Sequence, residues 1–128
     1  MIYLDTSVAL AHLFAEDKQP PVELWAETVV SSRLLEYELW NRVNARQLGK
    51  THGDSVRGLL DRVAFLELAR PVLERSLEPF PVAVRTLDAL HLASMDFLRE
   101  HGQTVRLASY DTRLIAAAKR MKFAVADL

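Results

Sequence analysis

The chain contains no cysteine, and that absence removes disulfides, thiolate nucleophiles and cysteine-bound zinc together. It lacks a dominant charge as well: 16 basic residues face 17 acidic ones, a formal net charge of −1. Bulk charge therefore announces no nucleic-acid binder, and any basic surface has to be local. No stretch approaches the roughly 20 consecutive apolar residues of a membrane span. The start of the chain has neither a basic segment nor a long apolar run of the kind a secretion signal needs. Repeats, low-complexity tracts and linkers are missing too. What is there is ordinary for a globular protein: 128 residues, half of them apolar and 26% charged. The expectation is one domain spanning residues 1–128, cytoplasmic and without a membrane partner.

Short apolar runs alternate with helical patterns along the chain. Residues 2–4 read as a strand and Thr6 to Phe14 as a helix capped by Asp5 or Thr6. Pro20-Pro21 opens a helix through "VELWAET", and Val29 to Ser32 is a strand. Arg33 to Leu48 carries Leu35, Leu39, Val43 and Leu48 at roughly helical spacing, with Gly49 as the stop. Asp54 to Val63 is a further helix, Phe65 to Leu68 a strand and Pro71 to Leu77 a short helix. "PFPVAVR" is a loop punctuated by prolines. Leu87 to Arg99 is a strongly apolar helix, "VRLAS" a strand, "TRLIAAAKRM" a helix capped by Asp111, and "FAVADL" a last strand. Strands alternating with helices predict an α/β fold: a three-layer α/β/α sandwich around a mainly parallel sheet.

Functional groups of such sheets gather beyond the carboxyl ends of the strands. Asp5 directly follows the first strand, and Asp111 stands two residues after Ser109 at the end of "VRLAS". Helix capping is the plain reading of each. Asp88 begins an apolar helix, where the helix dipole tolerates an anion. Burial there would still demand a partner, and Arg85, three residues earlier, can supply it. "LLEYELW" offers Glu36 and Glu38 on opposite flanks of the apolar stripe, and periodicity does not choose between them.

Four stretches carry a family resemblance: "YLDTS", "SSRLLEYELWN", "TLDALHLAS" and "LASYDTRLIAAAKRM". In this order and at these separations the chain resembles the PIN-domain ribonucleases, and among them the VapC toxins of bacterial VapBC toxin–antitoxin pairs. Residues between Gly49 and Arg85 carry no shared motif. The resemblance implies a metal-dependent endoribonuclease whose acidic positions are Asp5, Glu38, Asp88 and Asp111, and the spacing from Ser32 selects Glu38 over Glu36. It implies supporting hydroxyls at Thr6, Ser7 and Ser109, products with 5′-phosphate and 3′-hydroxyl ends, a cognate VapB-like antitoxin and a homodimer. The alternative is a catalytically silent PIN fold that binds RNA or protein, and the four filled acidic positions weigh against it.

If four carboxylates converge to about 5 Å, each ionised pair repels by roughly 3 kcal/mol at an effective dielectric constant near 20. A divalent cation relieves that repulsion, and oxygen-only ligands favour Mg2+ or Mn2+ over zinc. Arg42, Arg46 and Arg113 are candidates for holding RNA phosphates outside the acidic pocket. Aromatics around Trp25 and between Tyr37 and Trp40 suggest either core or a groove for the antitoxin or a second copy. "LGKTHG" is no phosphate-binding loop, because Asn44 stands where that motif needs a glycine and a helix precedes it instead of a strand. "YLDTS" lacks the second aspartate of phosphoaspartate enzymes, its position being Ser7. The four histidines, His12, His52, His91 and His101, show no paired metal-ligand spacing and are assigned to core or surface.

Overall fold

The computed structural model describes residues 1–128. Five strands, β1 (Ile2–Leu4), β2 (Val29–Ser32), β3 (Val63–Leu66), β4 (Arg106–Ala108) and β5 (Ala124–Val125), form one sheet in the order β3-β2-β1-β4-β5. Every pairing is parallel, so the sheet is wholly rather than mainly parallel. Parallel neighbours need crossovers, and six helices provide or flank them: α1 (Thr6–Leu13), α2 (Leu34–Ala45), α3 (Gly49–Leu60), α4 (Arg70–Ser76), α5 (Thr86–Glu100) and α6 (Thr112–Arg120).

Strand alternation divides the core between the two faces. Ile2, Leu4 and Val29 point into a cluster with Leu35, Leu39 and Val43 of α2 and Val56 and Leu59 of α3. Tyr3, Val30 and Leu107 point the other way, against Leu92 and Met95 of α5 and Leu114 and Ala117 of α6. The expected three-layer sandwich follows from that division. β1 is buried on both sides, which is why "IYL" is a continuous apolar run.

Strand order reverses at β1, and the chain is built to carry that strand slightly past its ladder. The β1–β4 pairing ends at Leu4 and Ala108, and the Asp5 amide then donates to the Ala108 carbonyl at 3.0 Å. On the other edge, the Ser31 hydroxyl donates to the Leu4 carbonyl at 2.7 Å, replacing a backbone bond. The polar half of "VVSS" thus satisfies backbone that would otherwise be orphaned in the interior. Asp5 is held at the crevice on both sides.

Several boundaries differ from the sequence reading. The segment after Pro21 is a 3-10 helix (Val22–Ala26), and α3 starts at Gly49 instead of Asp54. Val63 opens β3 rather than closing a helix, so that strand begins two residues early. The stop of α2 is not a left-handed glycine: Gln47 takes that conformation with φ 57°. Gly49 joins α3, where a Cβ would come within 3.3 Å of the Asn44 Oδ1.

Candidate active site

Four separate elements bring their acidic residues to one cleft of about 310 Å³ at the carboxyl ends of the central strands. Asp5, Thr6 and Ser7 line it with Glu38, Asn41 and Arg42 of α2, Leu87 and Asp88 of α5, and Asp111. Open parallel sheets place ligands at this kind of crevice.

Asp5 is the residue most firmly fixed. Its Oδ2 accepts from the Ser7 hydroxyl at 2.6 Å and the Ser109 hydroxyl at 2.8 Å, and more weakly from the Ser7 amide at 3.4 Å. Those two hydroxyls in turn accept from the amides of Tyr110 and Asp111, each at 2.9 Å. Polarised from behind, both serines are committed donors. The network ties the end of β1 to the end of β4 and orients one carboxylate oxygen, leaving Oδ1 without a protein donor.

Asp111 repeats the arrangement. Its Oδ1 caps α6 by accepting from the amides of Arg113 at 2.9 Å and Leu114 at 3.2 Å, and Oδ2 is unengaged. Capping and a place in the cleft are therefore compatible for both aspartates, because a carboxylate has two oxygens to give.

Glu38, and not Glu36, enters the cleft. Glu36 lies on the other flank of α2 and pairs with Arg33 at 3.2 Å. The Glu38 Oε1 accepts from the Thr6 hydroxyl at 3.2 Å and lies 2.5 Å from the His91 Nε2. His91 is 1% exposed, and its Nδ1 meets the Tyr3 hydroxyl at 2.8 Å. Burial alone would pull this imidazole down. The hydrogen bond and charge of Glu38, helped by Asp5 and Asp88, outweigh burial and lift it above its usual value. Assigning His91 to a core or surface role missed this contact. The available signal was its position three residues after Asp88 on one helix face, with a tyrosine hydroxyl in the buried first strand.

Asp88 is half-buried at the first turn of α5. Burial, then the charges of Asp111 and Asp5, push its carboxyl above the ordinary value. Arg85, which could have paired with it, forms no ion pair. The arginines with carboxylate partners are Arg33, Arg57, Arg70, Arg75, Arg99 and Arg106, and Arg42, Arg85 and Arg113 stay unpaired around four carboxylates. Arg42 lines the cleft itself, while Arg85 and Arg113 line an adjoining hollow that shares Asp88 with it. Arg46 lies over the Phe14 ring at 4.6 Å, away from the cleft.

By kind, the donors suit a hard dication: oxygen only, with one free oxygen on each of Asp5, Glu38 and Asp111 and two on Asp88. By placement, no three of them stand together as a ready-made ligand set.

The PIN domain family model matches residues 2–120. Ribonuclease VapC47 of Mycobacterium tuberculosis is 32% identical over 99% of this chain and 96% of its own length. Ribonuclease VapC35 of the same species is 30% identical over 98% and 95%. Among solved structures, a toxin–antitoxin complex from Klebsiella pneumoniae aligns with a TM-score of 0.66 at 17% identity, covering 94% of each chain. M. tuberculosis VapC20, described as a sarcin–ricin loop cleaving toxin, aligns with a TM-score of 0.68 at 21% identity, covering 91% of this chain and 95% of that one. At those identities the two structures speak for the fold. With a family match over nearly all its length, and relatives of 30% identity or more along theirs, the chain belongs to the PIN-domain family, among its VapC ribonucleases.

Proposed function

We propose that this chain is an endoribonuclease toxin that hydrolyses RNA phosphodiester bonds at the cleft formed by Asp5, Glu38, Asp88 and Asp111, with Mg2+ or Mn2+ as cofactor and a cognate VapB-like antitoxin as its inhibitor. Ribonuclease activity is the activity of the family to which the chain belongs. The assignment of residues rests on one observation above all: four carboxylates from four elements share one cleft, and three of them spend one oxygen on the protein and keep the other free.

Asp5 and Asp88 would be the principal holders of a divalent ion, with Glu38 and Asp111 completing the set, and such an ion would supply electrostatic stabilisation of phosphate charge and acidify a nearby water. The chain's own residues perform the positioning. Ser7 and Ser109 fix the Asp5 carboxylate through Oδ2. Thr6 and His91 do the same for Glu38 through Oε1. Arg42, and Arg113 beside the cleft, offer unpaired guanidinium groups to the phosphates of the strand on either side of the scissile bond. The carboxylates favour the dication and the rim favours the polyanion, so substrate and metal do not compete for the same groups.

Asp5→Asn keeps an acceptor for the Ser7 and Ser109 hydroxyls but removes the charge. The variant is expected to fold and to lose cleavage by at least about 100-fold, read by gel with the ends of the products sequenced. Cleavage at the wild-type rate would remove the proposal. Arg42→Ala should weaken RNA binding and reduce the slope of log K against log salt by about 0.7, the value for one single-strand phosphate contact. An unchanged slope would take Arg42 off the substrate path.

A further inference from the structure

Resting on the site just proposed, we propose that His91 is a positioning residue for Glu38, the last member of a buried chain that runs from the Ser32 amide through the Tyr3 hydroxyl and the imidazole to the carboxylate. The Ser32 amide donates to the Tyr3 oxygen at 3.2 Å, Tyr3 meets the His91 Nδ1 at 2.8 Å, and the His91 Nε2 meets the Glu38 Oε1 at 2.5 Å. Tyr3 is fully buried and His91 nearly so. Glu38 is the member that reaches the cleft.

The chain has a direction. Burial pushes the Tyr3 phenol well above its usual range, so the hydroxyl stays protonated. The Glu38 carboxylate can only accept, so the neutral ring carries its proton on Nε2 and Tyr3 donates to Nδ1. In the charged ring the Nδ1–H donates to the Tyr3 oxygen instead. A charged ring also presents an N–H at Nε2. In either state the glutamate receives a donor, and the bond to Oε1 leaves Oε2 as the oxygen available to the cleft.

The construction is costly for a plain core position. An apolar residue at position 91 would fill the space beside Leu92 without burying two ring nitrogens, and buried polar groups lower stability unless each is satisfied. Here each is satisfied, and the satisfied chain ends on an acidic cleft residue. Partners that orient cleft residues from behind typically change affinity or rate by 10–100-fold when removed. The helix also accounts for the pairing: Asp88 and His91 are three apart, so one face of α5 supplies a cleft carboxylate and the donor that orients another.

Three variants test this. His91→Leu keeps an apolar filling and deletes the donor. His91→Gln carries an amide N–H near the place of Nε2. Tyr3→Phe keeps His91 and deletes the hydroxyl that fixes its ring. Each is checked for a folded state by circular dichroism. kcat and KM for an RNA substrate are then measured, together with Mn2+ binding to the RNA-free protein by electron paramagnetic resonance. The expected result is a fall in kcat of about 10–100-fold in His91→Leu with KM within about twofold. Mn2+ binding weakens in parallel, His91→Gln recovers most of both, and Tyr3→Phe falls between. His91→Leu within about twofold of wild type in kcat and Mn2+ binding would overturn the inference. So would an unfolded His91→Leu accompanied by wild-type behaviour in Tyr3→Phe and loss in His91→Gln. An active Asp5→Asn would instead sink the site itself, so the two failures are distinguishable.

Discussion

At the scale of single residues, the cleft is a set of carboxylates each persuaded to stand beside the others. Ser7 and Ser109 hold Asp5, and Thr6 and His91 hold Glu38. Asp88 has no protein donor, and its carboxyl is the one pushed upward by burial and by Asp111 and Asp5. A carboxyl raised in the folded state lowers stability once it ionises. Asp88→Asn is therefore expected to be more stable than wild type at neutral pH in EDTA, by roughly 0.5 kcal/mol or about 2 °C in Tm, while losing cleavage. Addition of Mn2+ should raise the wild-type Tm and leave the variant's nearly unchanged. Calorimetry with and without metal checks both, and a destabilised variant would show that Asp88 makes a favourable contact of its own. Sequence could not weigh His91 because its partners lie 88 and 53 residues away; a lone histidine among leucines resembles filling until the fold brings them together.

At the scale of elements, caps and cleft residues turn out to be the same side chains. Asp111 closes the first turn of α6 through Oδ1, and substitution separates its two uses. Asp111→Ser supplies another good cap and no carboxylate, whereas Asp111→Ala supplies neither. Both should lose most cleavage, but only the alanine variant should lose stability, by about 1 kcal/mol, read from urea midpoints. Equal stability of the two would mean that the cap is idle; retained cleavage in the serine variant would remove Asp111 from the chemistry. Alternation of strand and helix was legible, since two-sided burial leaves apolar runs such as "IYL" and "VV", and amphipathic spacing marks α2. Helix ends were less so. Gln47 adopts the turn that glycine would have taken, and Gly49, the evident stopper, starts the next helix. Gly49 there sits close to Asn44, where a Cβ would come within 3.3 Å of Oδ1, a proximity no local rule contains.

At the scale of the whole molecule, the acidic cleft at the carboxyl ends of the strands has a counterpart in an ion cluster on the second face. Asp96 of α5 binds Arg75 of α4 at 2.7 Å and Arg99 at 2.9 Å, and Arg99 also reaches the Met121 carbonyl at 2.6 Å. Burial alone would raise the Asp96 carboxyl; its two arginine partners outweigh burial and bring it below the usual 3.8. A depressed carboxyl contributes stability that is complete above its unfolded value and is lost as pH falls through the folded one. Asp96→Asn should cost about 2 kcal/mol at pH 7, less than a fully buried pair because Arg99 is 40% exposed. It should also flatten the decline in urea midpoint between about pH 5 and pH 2. A wild-type acid profile in the variant would place the loss elsewhere. The cluster was not foreseen, since nothing in the sequence set Arg75 and Asp96 apart from ordinary surface charge.

The seating of Asp5 has a last consequence for the cell that makes this protein. The serine that grips it, Ser109, lies 104 residues further along the chain, just past the neighbouring strand β4. A nascent chain that has already delivered Asp5 and Glu38 therefore still lacks the hydroxyl that Ser109 brings to Asp5. On the proposed site, a product that stops before Ser109 lacks both that grip and Asp111.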